Sequence, residues 1–331
     1  MKRHRKRAGR TAIAIGLAFV LASAVLACSE TTAGNRQGDL AGDLERTFDL
    51  AAGRTPQVQY FTMETTVVHI RFDGRRTGSE TFYLVLKCAP GALSGKDGDE
   101  YTCRDFRYKV NDGEPVAIPA LAGWTYVFGM TASGTDDKGQ VLGIPHAKFE
   151  NLTDGSGRKL PPATAYFVYN AFIDFHAFND VFARPVAGGK GIQDLTRVGQ
   201  RIVHSSAFSE PPVNLGAGIK EGSVFRNGEV TLEFKGLSLV DGAPCALVGY
   251  DSGESTLKMV MAMGQADIVT TGGSEYKGDL FIDLSTRWVR KITMDEFIVT
   301  ETAVPGGAKM DAYTVRHLLM RNITREEYEK D

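Results

Sequence analysis

The residues best equipped for chemistry crowd into one aromatic segment. Asp174, His176 and Asp180 lie close together there, and with His204 they would offer the nitrogen and oxygen ligands that a divalent metal takes. On a helix, however, Asp174 and His176 diverge, and no His-x-x-x-His or Cys-x-x-Cys spacing accompanies them. The expectation is therefore polar residues at the edge of an aromatic cluster, with no metal and no cofactor assigned. Hydrolytic chemistry would need a nucleophile beside a base. Ser205 and Ser206 follow His204, and Asp194 lies upstream, but adjacent residues on an extended chain point to opposite faces. No serine sits in a Gly-x-Ser-x-Gly elbow, so no catalytic residue is assigned. Gly188-Gly189-Lys190-Gly191 lacks the spacing of a phosphate loop and reads as a flexible linker.

Sulfur offers two further readings. Cys88 ends one expected strand and Cys103 begins the next across a polar loop, so an oxidising compartment would favour a bridge between them. Cys245 falls in an apolar strand and is expected as a small buried hydrophobe. Leu257, Met259, Met261 and Met263 alternate along one strand and so share a face. Such a face is either ordinary core with methionine as filler or a soft apolar surface for an acyl-chain ligand.

The elements that must position these residues are mostly strands. From Val58 onward, runs rich in Val, Thr, Tyr, Phe and Ile alternate with turns such as Asp73-Gly74, Asn111-Asp112-Gly113 and Asp241-Gly242. Strands at this spacing predict a mainly β fold, a large antiparallel meander, sandwich or half-barrel with one or two short helices. Its halves are 56–185 and 200–325, separate or continuous. Leu40, Leu44 and Phe48 are four apart, which predicts a short amphipathic helix over 39–52. The segment 163–183 fits both periods. Phe167, Ala171, Phe175, Phe178 and Phe182 make one helical stripe after Pro161-Pro162, whereas Phe167, Tyr169, Ala171, Ile173 and Phe175 alternate as a strand would. A helix there would cover one face of the sheet, giving an α+β lid.

Charge and leader concern location. The chain carries 38 Lys+Arg against 40 Asp+Glu, and six of the basic residues stand before position 28 with no acid among them. The chain beyond the leader is therefore acidic, which argues against a nucleic-acid partner. The leader runs from the basic Lys2, Arg3, Arg5, Lys6, Arg7 and Arg10 through the apolar Thr11 to Ala27, as in a secretory signal over 1–27. Its end, Val25-Leu26-Ala27-Cys28, resembles the lipobox of bacterial lipoproteins, and residues 28–38 make a polar tether. The resemblance implies diacylglycerol on the Cys28 sulfur, cleavage before it, and a membrane partner through that anchor. Ser29 implies the periplasmic face of the outer membrane where a cell has two membranes. The mature chain is then expected to be a binding or scaffold module for an envelope protein, with a carrier of a hydrophobic ligand and an envelope hydrolase as alternatives.

Overall fold

The computed structural model describes residues 45–129, 143–215, 218–263, 266–304 and 306–330, all within one compact unit, Leu40–Asp331. Cys28, the leader and the tether lie outside the described residues, as does the side chain of Met263. Among the described residues the strands in chain order are β1 Gln59–Ile70, β2 Arg76–Ala89, β3 Asp99–Val110, β4 Val116–Ala117, β5 Thr125–Phe128, β6 Arg201–Ser205 and β7 Phe208–Glu210. They continue with β8 Val224–Asn227, β9 Val230–Val240, β10 Ala243–Asp251, β11 Ser255–Met263, β12 Ala266–Asp283, β13 Val289–Ala303 and β14 Lys309–Ile323. The helices are α1 Gly91–Ser94, α2 Pro162–His176 and α3 Arg325–Glu329.

All fourteen strands join one open antiparallel sheet, whose main path is β4-β3-β2-β1-β14-β13-β12-β10-β9-β6. The expected mainly β architecture is therefore what forms. Because β1 pairs with β14 along most of its length, the first and last strands sit at the centre and the two expected halves share one sheet. Local chemistry accounts for the turns. Asp241 and Gly242 both take positive φ, 50° and 77°, which suits the two-residue primed turn between β9 and β10. Elsewhere, close approach demands glycine: a Cβ on Gly278 of β12 would lie 2.0 Å from the Thr293 carbonyl of β13.

The ambiguous segment is helical. Helix α2 carries Pro at its start, as the first turn permits, and a π-helical turn, Ala177–Val181, comes directly after it. Nine of the fifteen residues of α2 are buried, Ala165, Val168, Tyr169, Phe172, Phe175 and His176 among them. Phe172 meets Phe106, Trp124 and Phe149, and Phe175 meets Phe61 and Tyr101. A buried backbone must satisfy its own polar groups. A helix does so internally, while a strand packed on the face of a sheet would have no neighbour to pair with. That decides between the two periods.

Two expectations are corrected. Of the helix expected over 39–52, Glu45 is helical and residues 46–52 are not; Phe48 and Leu50 are buried while Thr47 and Asp49 are exposed, a period of two. The reason is tertiary. Phe48 donates its backbone N–H to Thr196 at 2.8 Å and packs edge-on against Phe234 at 5.3 Å, so the segment runs as an extended strap. Residues 39–44 lie outside the described residues.

The expected Cys88–Cys103 bridge is absent, and Cys88, Cys103 and Cys245 are free, buried thiols. A register shift between Val85 and Leu86 sets Cys103 opposite Leu86 and Cys88 opposite Tyr101. The two cysteines are thus diagonal neighbours, which places their Cα atoms roughly 7–8 Å apart, whereas a disulfide spans about 4.4–6.8 Å. Burial pushes the Cys245 thiol up to about 11, so it is a poor nucleophile at neutral pH. Thiol titration of the denatured, unreduced mature protein is expected to find all three reactive, and reaction of Cys245 alone would contradict this register.

Candidate functional site

Asp174, His176 and Asp180 fall on the seam where α2 lies against one face of the sheet, but not in one site. Asp174 and Asp180 enter separate polar knots, and His204 enters neither.

The first knot centres on Asp180, in the π-helical turn. Its carboxylate accepts from the Tyr101 hydroxyl at 2.8 Å, Arg54 at 2.9 Å and the Asn179 amide at 3.0 Å, and forms an ion pair with Arg184 at 3.0 Å. His176, one helical turn earlier, places Nδ1 2.8 Å from the same carboxylate and Nε2 2.8 Å from the Tyr126 hydroxyl. Arg184 also pairs with Asp99. Arg54 lies over the Trp288 ring at 4.3 Å, and the Trp288 indole donates to the Thr55 carbonyl at 2.9 Å. Two guanidinium groups face two carboxylates.

The order hydroxyl, imidazole, carboxylate is that of an acyl-transfer relay, but a phenol stands in the nucleophile's place and Tyr126, His176 and Asp180 are all buried. Burial depresses the His176 pKa, although Asp180 opposes that shift, and burial drives the Tyr126 phenol well up. Burial penalises the Asp180 charge, but Arg184, His176 and Arg54 together hold its carboxyl well below the usual range. The imidazole is therefore neutral. It donates from Nδ1 to Asp180 and accepts at Nε2 from Tyr126, and His176 is itself fully enclosed. The knot binds α2 to β3, β5 and the strap before β1.

The second knot centres on Arg316 of β14. It donates to Glu296 of β13 at 2.7 Å and also binds Asp174 of α2 and the Tyr276 hydroxyl of β12. With its amide oxygen turned inward, Asn170 accepts from the same guanidinium at 2.9 and 3.2 Å. One cation thus serves two carboxylates, and burial raises the Asp174 pKa against the lowering effect of Arg316.

His204, on β6, lies away from both, with its ring 5.0 Å from Phe182 and no hydrogen-bond partner on either nitrogen. Burial lowers its pKa. Asp194 is turned to the Gly191 N–H at 3.0 Å rather than to His204. Among the described residues no group of three or more His, Cys, Asp or Glu is arranged to hold a metal ion. Leu257, Met259 and Met261 do share a face of β11, opposite Gly272, Thr270 and Ile268 of β12. All three are half-buried, and the free edge of β11 is partly covered through Ile219 and Lys220.

Arg54, Arg184, Tyr101 and Tyr126 of the first knot, and Arg316, Glu296 and Tyr276 of the second, gave no signal in sequence. Apart from Arg184, which follows Asp180 by four residues, each lies in an ordinary alternating strand or loop, and only long-range pairing brings it to α2.

The outer face offers the open surface. A groove there is lined by Phe72, Phe297, Val299 and the glycines 272 and 273. A smaller depression lies between α3 and the sheet, near Arg104, Arg107 and Tyr328.

No protein-family model matches the chain, and no curated protein is similar to it. Among solved structures, OprB of Pseudomonas putida aligns over 81% of this chain and 94% of its own, at 7% identity and a TM-score of 0.21. OmpT of Vibrio cholerae, an outer membrane protein, aligns over 81% and 99%, at 7% identity and a TM-score of 0.17. Scores this low leave the architecture to be read from the chain itself.

Proposed function

We propose that this chain is a lipid-anchored cell-envelope protein, held to the membrane through Cys28, whose β domain is a non-catalytic binding or scaffold module. In a cell with two membranes it stands on the periplasmic face of the outer one. The observation that carries the binding reading is the covering of one sheet face by α2. His176, Asp174 and Asp180 are enclosed there in paired knots, and His204 stands apart from them. The candidate acid–base groups are therefore placed to hold the lid rather than to meet a substrate. The anchor rests on the leader and its lipobox resemblance. Radiolabelled palmitate is expected to enter the wild type and not Cys28→Ala in whole cells; equal labelling of both would overturn the anchored reading.

The half-buried Leu257, Met259 and Met261 favour a second reading, a carrier of hydrophobic ligands. None of the three is enclosed as a core residue is. Native mass spectrometry of the purified protein is expected, on that reading, to show a co-purifying acyl species whose amount changes in Met261→Leu, a swap that keeps volume. A protein free of such species leaves the scaffold reading alone.

A further inference from the structure

The outer face of β1, β14, β13 and β12 carries two adjacent apolar rows. Val68, Val315 and Phe297 form one, aligned directly across three strands, and Ile70, Tyr313 and Val299 form the next. Each row reaches β12, the first at Glu275 and the second at Gly273, where the missing side chain leaves the floor open. Phe72 lies against Tyr313 at 4.4 Å and remains 53% exposed, and Phe297 is 57% exposed. Sheet faces turned to water ordinarily alternate polar residues outward. A contiguous apolar patch of this kind marks an interaction surface.

The rim identifies the occupant. Glu254, Glu275, Glu301 and Asp311 line the groove, and no basic residue does. Glu275 and Glu301 touch Lys277 and Lys309 at 2.8 and 2.7 Å, but exposed pairs of this type are weak and exchange readily. Asp311 lies within the field of Lys309 without closing an ion pair with it. An anionic lipid surface would be repelled by this rim. A second copy docked through the same patch about a two-fold axis would bring the acidic rims together.

We propose that this groove docks an extended polypeptide segment of another protein, one whose Lys or Arg side chains flank apolar ones. Apolar side chains enter over Phe297, Val299 and Phe72, and the cations meet the four carboxylates. This rests on the binding-module reading and names the partner chemistry.

The test uses the full chain in detergent micelles and two fluorescein-labelled probes, a dodecapeptide of three Lys-Val-Lys-Phe repeats and its counterpart with Glu for Lys. Fluorescence anisotropy is expected to show the Lys peptide binding about tenfold or more tighter than the Glu peptide, and weakening as salt rises. Phe297→Ser is expected to weaken binding about tenfold, and the double variant Glu254→Gln/Asp311→Asn about threefold with a shallower salt dependence. Leu239→Ser, at an exposed apolar position elsewhere, is expected to change nothing. The double variant alters exposed side chains only, so its result stands even if Phe297→Ser unfolds. Equal binding of both peptides, or unchanged binding in the double variant, overturns the proposal. So does Phe297-dependent flotation with phosphatidylglycerol vesicles or a Phe297-dependent dimer in sedimentation. A chain that takes palmitate but ignores the Lys peptide loses this inference and keeps its anchor.

Discussion

Asp180→Asn is expected to destabilise the protein by about 3–5 kcal/mol, the cost of leaving buried charges without their partner. The Arg54 side chain is only 8% exposed and uses Asp180 as its carboxylate partner. Arg184 would keep Asp99, while His176 would lose the acceptor that fixes its tautomer. In a domain of this size each kcal/mol moves the midpoint by about 2–4 °C, so a loss of roughly 10 °C should be visible by circular dichroism. Asp105→Asn, which breaks the more exposed pair with Arg107, is the control and is expected to cost less than about 1 kcal/mol. Equal effects would mean that the Asp180 knot is not what holds α2 to the sheet.

The same knot contributes to the acid limb of stability, together with His204 and Asp283, whose pKa values are lowered too. Folding lowers the pKa of both His176 and Asp180, so each contributes stability that is complete above its unfolded value and is lost as pH falls. The wild type should therefore weaken first below about pH 6.5, as unfolded histidine begins to hold a proton that the buried ring refuses, and again below about pH 4.

Arg316→Met is expected to be as damaging at alkaline pH and less so in acid. It leaves Asp174 and Glu296 buried together without their cation, again a loss of about 3–5 kcal/mol. Asp174 already has a raised pKa because of burial, and removing Arg316 raises it further. A carboxylate raised by folding contributes stability that is whole below its unfolded pKa and disappears as pH rises through the folded one. The deficit relative to wild type, measured by urea unfolding, should therefore shrink from pH 8 to pH 5. Adding Asp174→Asn and Glu296→Gln to Arg316→Met should recover most of the loss, because no unpaired buried charge remains. A triple variant no better than the single one would show that Arg316 acts through packing on Phe167 and Tyr276 rather than through charge.

Strand alternation and turn chemistry suffice to predict the antiparallel architecture, since a period of two and an Asp-Gly turn are local facts that the sheet has only to respect. Asp241-Gly242 turns as its residue types demand. Four decisions were not local. Segment 163–183 satisfies both periods, and it became a helix because it is buried on the face of a sheet, where only internal hydrogen bonds are available. Residues 46–52 do not continue the helix of Glu45 because Phe234 and the Thr196 carbonyl hold the chain extended. The pairing of β2 with β3 set Cys103 opposite Leu86 and Cys88 opposite Tyr101, and nothing in the spacing of two cysteines encodes which residues a strand pairs. Asp174, His176 and Asp180 stood out as neighbours in sequence, but their partners Arg316, Arg54 and Tyr126 lie 142, 126 and 50 residues away along the chain. The role of a charged residue in a protein depends on the groups that burial makes it meet, and only the packed seam between helix and sheet determines those.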